Sequence, residues 1–217
     1  MASRRIRALT AADLARLPEP CVRCTFWESG LTDLAAPPDH AERELGKRRW
    51  AEAVTQRWGH CGLLATQDGE TTGFLTMAPA PLVPRLASFA TTPVSADAAA
   101  LLSVWVAERH RGHGLGKALV QGAAALLARR DIRALEAVGT YHDGSCMVPT
   151  GWLEAVGFCV VRPHPVTPRL RMDLQSTVRW KPDLSAAWTR LTDLVGQPAA
   201  PEPAAYAPTP TEGRRRS

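Results

Sequence analysis

The sequence lacks long apolar runs and any paired set of cysteines. No segment approaches the roughly 18 consecutive apolar residues that a membrane-spanning helix needs, and the basic N-terminus carries no apolar stretch of signal-peptide length. We therefore expect neither a membrane segment nor a secretory leader. The five cysteines are an odd set without the spacing of a disulfide framework, which is typical of a protein in the reducing cytoplasm.

A concentrated basic patch is also absent. The net charge is +5, but the basic residues are scattered, apart from Arg214, Arg215 and Arg216 near the C-terminus. A DNA-binding domain needs a concentrated patch, and no recognition-helix or zinc-finger pattern is present. A nucleic-acid partner is therefore not expected, whereas the excess of positive charge suits a small polyanionic ligand.

The sequence does contain enough apolar residues for a core, since 45% of its 217 residues are hydrophobic. We expect one domain over 1–196 and a disordered Pro- and Ala-rich tail over 197–217. The stretch 22–27 is predicted to be a strand or an extended loop, and 79–97 a long loop that forms a wall of the substrate site. Other strands are predicted at 6–8, 62–66, 72–78, 101–106, 133–138, 158–161 and 170–174. Helices are predicted after Thr10 and at 40–58, 118–130, 152–156 and 181–195.

The most informative run extends from Arg111 to Lys117 and places three glycines at alternate positions. It lies between an apolar strand-like segment and a long Ala/Leu-rich helical segment. Glycines leave backbone N–H groups uncovered, so that these groups can turn towards a polyanion. The positive end of the following helix favours phosphate by roughly 0.3–1 kcal/mol. The run therefore predicts a pyrophosphate-binding loop.

The spacing of the glycines excludes two common nucleotide-binding motifs. A dinucleotide fingerprint, G-x-G-x-x-G, needs a glycine five residues after Gly112 or Gly114, where this sequence has Lys117 and Leu119. A P-loop, G-x-x-x-x-G-K-[ST], fails because Arg111 occupies its first position and Lys117 is followed by alanine.

The pattern that fits is R-x-x-G-x-G, formed by Arg111, Gly114 and Gly116. It resembles the acyl-CoA-binding signature of the GNAT family of N-acetyltransferases. The opening strand and helix start at 6–14 also resemble this family, as do Val104-Trp105-Val106, five residues before the arginine, and the late helix that ends in Gly157-Phe158. The resemblance spans residues 4–175.

The resemblance implies an α/β (α+β) fold with a central mixed, mostly antiparallel sheet of six to seven strands flanked by helices. It also implies that acetyl-CoA donates an acetyl group to a primary amine of a small molecule or a protein, by direct attack of the amine. No metal cofactor is expected, and a homodimer is possible because dimers are common in the family.

The same resemblance implies a set of CoA-binding residues. Backbone N–H groups of the glycine run would hold the pyrophosphate, and the edge of the preceding strand would pair with pantetheine. The N–H of Val106 would polarise the thioester carbonyl. The complete set is Val104, Trp105, Val106, Arg111, Gly112, His113, Gly114, Leu115, Gly116 and Lys117.

Two carboxylates are candidates for the catalytic base. Glu136 lies among apolar residues in the strand after the glycine run. In the family that the sequence resembles, ribosomal-protein N-acetyltransferases carry a glutamate base on that strand. Burial there predicts a raised pKa, which would suit proton transfer near neutral pH. A solvated glutamate on the outer face of the strand is the alternative interpretation. Glu28 is the second candidate, and its alternative is an ordinary surface charge.

Two positions depart from the family pattern. Leu153 occupies the place of the tyrosine that protonates the leaving thiolate in many family members, and Cys146 occupies the place of a cofactor-contacting asparagine. Water, Tyr141 or Cys146 are candidates to replace the tyrosine. The departures also leave open a second hypothesis, a non-catalytic acyl-CoA-binding or regulatory module.

The pair Cys21 and Cys24, with His60 and Cys61, raises the question of a zinc site, because thiolates and imidazoles are zinc ligands. A single C-x-x-C is a weak signal, and the adjacent His60 and Cys61 are poorly placed to share one ion. We interpret these cysteines as small residues of a core or pocket, with no bound metal.

Overall fold

A computed structural model of the chain describes residues 4–30, 39–142 and 146–174. Within these ranges, strands and α-helices are joined by short 3-10 helices. The strands are β1 (Arg4–Leu9), β2 (Gly62–Gln67), β3 (Glu70–Pro79), β4 (Ala98–Val106), β5 (Ala134–Thr140), β6 (Val148–Pro149), β7 (Cys159–Arg162) and β8 (Arg169–Asp173), and the helices are α1 (His40–Trp58), α2 (Leu115–Ala128) and α3 (Thr150–Ala155).

The strands form one mixed sheet in the order β1-β2-β3-β4-β5-β8-β7, with β6 attached to β5. Only the β4–β5 and β5–β6 pairs are parallel, and the other pairs are antiparallel. The sheet contains one strand more than the six to seven expected, because the two-residue β6 carries no pattern that a sequence reading can detect.

Local sequence signals explain the first half of the sheet and its covering helix. Asp68 and Gly69 both have positive φ, 52° and 85°, as a type I′ turn requires, and they join β2 and β3 as a tight hairpin. Helix α1 begins where the Asp39 side chain accepts a hydrogen bond from the N–H of Glu42, and it ends at Gly59 in the left-handed conformation.

The sheet separates two hydrophobic cores. On one face, α2 and α3 pack through residues such as Leu119, Leu127 and Leu153. On the other face, α1 and the N-terminal 3-10 segments pack through residues such as Trp27 and Trp50. The protein therefore has three layers, with helices on both faces of the sheet.

Strands β4 and β5 form a fork. Their pairing extends only from Ala98 opposite Ala134 to Leu101 opposite Ala137, although β4 continues to Val106. Strand β6 pairs with the end of β5 and also contacts β4. Strand β4 has a β-bulge at Leu102, which has no partner residue in the register with β3. The second half of β4 thus has one edge that β5 does not cover.

Some predicted segments differ from the structure. The prediction of a strand or extended loop at 22–27 is wrong, because Cys21–Arg23 is a 3-10 helix followed by a turn. The segment 79–97 contains the 3-10 helices Ala80–Leu82 and Pro84–Ser88 within a long connection. The predicted helix at 181–195 and the predicted tail at 197–217 lie outside the described residues.

In the described ranges, no helix combines the length and the apolar character that crossing a bilayer requires.

Candidate functional site

The glycine loop, residues Arg111 to Lys117, connects β4 to α2. Gly112 and Gly114 have φ of 74° and 76°, a conformation that favours glycine. Gly114 caps α2, and its carbonyl accepts the first helical hydrogen bond, from Ala118 at 2.9 Å. In an α-helix, the N–H groups of the first residues, here Leu115 and Gly116, have no intrahelical partner. They are therefore available to an anion at the positive end of a 14-residue helix.

The loop is held against the end of β4. The Nε of Arg111 donates to the carbonyl of Val106 at 3.1 Å, and the Nδ1 of His113 donates to the carbonyl of Arg111 at 2.7 Å. Leu115 is buried and anchors the helix start in the core. Residues 111–114 are exposed, so the predicted anion-binding backbone faces solvent.

Gly116 lies under the indole of Trp152 from α3. A Cβ added to Gly116 would lie 2.9 Å from Cζ2 of Trp152 and 3.7 Å from a methyl group of Val106. The third glycine is therefore needed for close packing, whereas Gly112 and Gly114 are needed for their φ. Sequence reasoning missed the role of Trp152, because α3 and the glycine loop are far apart in the chain.

The uncovered edge of β4 presents backbone polar groups to the fork. Ala107 donates its N–H to Thr72 of β3 at 3.0 Å. Because successive N–H groups of a strand point in opposite directions, the N–H groups of Val106 and Val104 point away from β3 and towards the fork. Trp105 points to the α1 face, where its ring stacks on Phe74 with the centroids 5.9 Å apart.

Glu28 lies on the α1 face with a buried ion pair. The Nζ of Lys47 in α1 is 2.9 Å from Oε1 of Glu28, and the two side chains are 8% and 6% exposed. The same Nζ donates to the carbonyl of Cys24 at 2.6 Å. The other carboxylate oxygen, Oε2, is buried without a hydrogen-bond partner. A buried carboxylate oxygen without a donor can accept a hydrogen bond from a ligand.

Cys146 lies just before β6 and contacts this ion pair through Cys24. The Sγ atoms of Cys146 and Cys24 are 2.8 Å apart. We call Cys24, Glu28, Lys47 and Cys146 the Glu28 cluster. Its neighbours Phe26 and Met147 pack in the same core as Leu102 and Val138 of the fork strands. The Glu28 cluster and α2, which the glycine loop begins, therefore lie on opposite faces of the fork.

Glu136 lies in a different environment from the one expected. Its side chain is fully buried and forms ion pairs with Arg169 and with Arg171, the latter at 3.1 Å. Burial raises its pKa, but hydrogen bonds from Ser95 and from the two arginines outweigh burial and lower the pKa below its ordinary value. The predicted raised pKa is therefore wrong, and both carboxylate oxygens already have donors.

The alternative interpretation of Glu136 as a solvated surface residue is also wrong, since its side chain is inaccessible. Arg171 also pairs with Asp97 at 2.9 Å, so that Glu136 joins a network that connects β5, β8 and the segment before β4. The contacts of Glu136 indicate a structural role.

The position expected to carry a catalytic tyrosine offers no polar group. Leu153 is fully buried in the core between α3 and the sheet. Tyr141 is 58% exposed at the end of β5. Among the candidates to replace the tyrosine, Cys146 is the one that the described structure joins to the Glu28 cluster.

The residues considered for zinc are not assembled into a metal site. Within the described ranges, no group of three or more His, Cys, Asp or Glu side chains is arranged to hold a metal ion. Cys61 is buried and donates to the carbonyl of Leu9, and burial raises the pKa of its thiol to about 12. His60 is buried with both ring nitrogens unpartnered.

Sequence reasoning missed Lys47 and the contact of Cys24 with Cys146. A signal for Lys47 was present, since it occurs at helical spacing with the buried residues Trp50, Ala51 and Val54 of α1. A charged residue at such a position requires a partner. No sequence signal connects Cys24 and Cys146, which are 122 residues apart.

Comparison with known proteins is consistent with this architecture. A sequence model described as the acetyltransferase (GNAT) family matches residues 25–148. No curated protein matches the chain significantly in sequence.

Solved structures also share the fold. One is a PaiA N-acetyltransferase from Thermoplasma acidophilum in complex with coenzyme A, with 16% identity, a TM-score of 0.52 and coverage of 79% of this chain and 99% of that chain. The aminoglycoside acetyltransferase AAC(6')-Ib in complex with coenzyme A has 16% identity and a TM-score of 0.53, and it covers 82% and 99% of the two chains. The predicted mixed sheet with flanking helices is thereby confirmed.

Proposed function

Because the chain belongs to the GNAT acetyltransferase family, we propose that it is an enzyme that transfers the acetyl group of acetyl-CoA to a primary amine of a small molecule or a protein. One observation carries the proposal. The exposed glycine loop follows the uncovered edge of β4 after one 3-10 turn, Glu108–His110, and Arg111 bonds back to Val106. The strand edge therefore offers donors for an extended amide chain, and the adjoining loop offers donors for a pyrophosphate.

The donor substrate is proposed to bind along this surface. The N–H groups of Gly112 to Lys117 bind the pyrophosphate, with the exposed Arg111 adding positive charge. The pantetheine amides pair with the β4 edge from Val104 to Val106, as an added strand would. The residues present fit this ligand, because the loop backbone is exposed and Gly116 carries no Cβ to displace Trp152.

The N–H of Val106 is proposed to stabilise the oxygen that becomes negative during attack. It points towards the fork, where the thioester carbonyl would lie if pantetheine follows the β4 edge. A preorganised backbone donor of this kind contributes about 3 kcal/mol in acyl-transfer enzymes. Holding the amine and the thioester in reacting geometry supplies a further large share of the barrier reduction.

Glu28 is proposed to bind the acceptor amine and to take up its proton. Its Oε2 is buried and unpartnered, while Lys47 holds Oε1. An ammonium group would satisfy the free oxygen, and a carboxylate in hydrogen-bonding reach of the amine can accept the proton that attack releases. Glu136 is not proposed as the base, because its two oxygens already accept from arginines.

The leaving thiolate is proposed to depart without a phenol. Leu153 excludes a tyrosine at the expected position, and a thiol with an ordinary pKa near 8.5 is a tolerable leaving group. The buried Leu153 also favours the second candidate function, a non-catalytic acyl-CoA-binding module. In the catalytic case the leaving thiolate would take its proton from water, because the hydrogen bond with Cys24 and burial raise the pKa of the Cys146 thiol.

We propose that the domain extends over 1–196 and that the protein acts in the cytoplasm, where it can form a homodimer, without nucleic-acid or membrane partners and without a metal. The cytoplasmic location is supported by the five cysteines, none of which forms a disulfide.

Thiol release from acetyl-CoA, with a panel of amines and peptides, tests the function. We expect release to depend on an amine and CoA binding to be measurable by calorimetry. Tight CoA binding without amine-dependent release would favour the non-catalytic module. Absence of CoA binding would overturn both candidates.

A further inference from the structure

Cys24 and Cys146 bring two thiol sulfurs into contact. Their Sγ atoms are 2.8 Å apart, less than an ångström more than the covalent S–S distance of about 2.05 Å. The two residues come from different parts of the chain, so that folding alone brings the thiols together. Such a separation needs little movement before a covalent bond can form.

The electrostatic surroundings favour a thiolate at Cys24. The hydrogen bond with the Cys146 thiol, a backbone hydrogen bond from Phe26 and the positive charge of Lys47 together outweigh burial and lower the pKa of Cys24 to about 6. The hydrogen bond between the two thiols raises the pKa of Cys146. Cys24 is thus the nucleophilic partner and Cys146 the thiol that retains its proton.

Accessibility distinguishes this pair from Cys61, and position in the fold distinguishes it from Cys159. Cys146 is exposed and Cys24 is half-buried, so that a small oxidant can approach them. Cys61 is buried, and the pKa of its thiol is raised, which makes it unreactive. Cys159 is exposed on β7, at the far edge of the sheet, and it serves as the natural control.

We propose that Cys24 and Cys146 are a site of reversible oxidation, at which a peroxide joins the two thiols in a disulfide. The bond would fix the N-terminal 3-10 segment to the segment before β6, on the α1 face of the fork. Because Lys47 bonds to both the Cys24 carbonyl and Glu28, the link would also restrain the proposed amine-binding carboxylate.

The step balances with hydrogen peroxide as the oxidant. The Cys24 thiolate attacks one peroxide oxygen, the O–O bond breaks, and Cys24 becomes a sulfenic acid while hydroxide leaves. The Cys146 sulfur then attacks the Cys24 sulfur, losing its proton, and the second oxygen leaves as water. Two electrons pass from the two sulfurs to the peroxide, and a dithiol reductant such as dithiothreitol returns them.

The experiment treats the full chain with hydrogen peroxide, traps the remaining thiols with iodoacetamide and maps disulfide-linked peptides by mass spectrometry. We expect the wild type to lose two of its five thiols and to yield a linked peptide containing Cys24 and Cys146. Dithiothreitol should restore both thiols. Cys159→Ser should behave like the wild type, whereas Cys24→Ser and Cys146→Ser should yield no such link.

Two results of the peptide mapping would overturn the proposal. One is a link between Cys21 and Cys24, which are a single 3-10 turn apart, in place of the Cys24–Cys146 link. The other is a wild type that keeps both thiols, or that forms higher oxides on Cys24 without a link. These measurements need no acetyl transfer, so that their outcome is independent of the proposed function.

An effect on turnover rests on the proposed function. We expect peroxide to lower amine-dependent thiol release several-fold in the wild type and in Cys159→Ser, reversibly with dithiothreitol, while Cys24→Ser keeps its own untreated rate. A linked wild type with an undiminished rate would overturn the regulatory effect. A chain without any transfer activity would contradict the proposed function and leave the peptide-mapping result valid.

Discussion

The two faces of the fork are constructed in different ways. The glycine loop is a continuous segment whose properties come from backbone conformation and from one close approach, that of Trp152 to Gly116. The Glu28 cluster gathers side chains from the N-terminal segment, α1 and the segment before β6. The conformation of the glycine loop is therefore a local property of the chain, whereas the chemistry of the Glu28 cluster is a product of tertiary packing.

The largest effect is expected from Glu28→Gln. If Glu28 takes the amine proton, kcat should fall about 100- to 10,000-fold, as is usual when a general base is removed. The dissociation constant for CoA should stay unchanged, because the glycine loop lies on the other face of the fork. Steady-state thiol release and a calorimetric CoA titration would measure the two quantities.

A second variant keeps this test specific. Glu28→Gln leaves Lys47 buried without its ionic partner, which is destabilising. The double variant Glu28→Gln, Lys47→Met should regain stability without regaining the rate. If the double variant were as fast as the wild type, Glu28 would not be the base.

Glu136→Gln should affect stability. Removing one partner of a buried ion pair typically costs about 3–5 kcal/mol, and two arginines lose their carboxylate here. Urea unfolding would measure the loss, with Asp173→Asn as the control. Asp173 is 62% exposed and pairs with the same Arg171, so that its replacement should cost at most about 1 kcal/mol. A folded Glu136→Gln protein that loses turnover selectively would reinstate Glu136 as the base.

His60 should make stability depend on pH. Burial and the charge of Arg130 lower its pKa from 6.5 to about 4, so that between these values the unfolded chain binds a proton that the folded protein does not. The free energy of unfolding therefore has its full value above pH 6.5. It decreases by about 3 kcal/mol in total as the pH drops to 4.

His60→Leu should flatten this pH dependence, as followed by urea unfolding at several pH values. An identical slope in the variant would assign the dependence to other groups. Urea unfolding measures stability and not turnover. The experiment therefore distinguishes unfolding at low pH from an effect of pH on the chemistry of the Glu28 cluster.

The smallest effect is expected from Gly116→Ala. The added methyl group would lie 2.9 Å from the Trp152 ring, and overpacking of this kind costs about 1–3 kcal/mol. Part of that cost should appear as an increase of about tenfold in the dissociation constant for CoA. Gly46→Ala, where an added Cβ meets nothing within 4 Å, should leave CoA affinity unchanged. An equal change in both variants would argue against a specific role for the glycine loop.

The predictions from sequence succeeded where the determining interactions are local. Helix α1 begins and ends at the predicted residues 40 and 58, and β2 and β3 include the predicted stretches 62–66 and 72–78. The stretch 22–27 was predicted wrongly because its apolar residues fit several conformations, and contacts with α1 and the 79–97 connection decide among them. The sequence could not show that Arg169 and Arg171 would neutralise Glu136.

By itself, the sequence determined the position and type of the glycine loop, because glycine conformation, helix capping and the alternation of a strand depend on neighbouring residues. Only the tertiary structure decided which carboxylate keeps an oxygen without a donor, and that two cysteines 122 residues apart would be in contact. The physical reason is that a buried side chain is governed by whatever packing places beside it. Spacing along the chain carries no information about such partners.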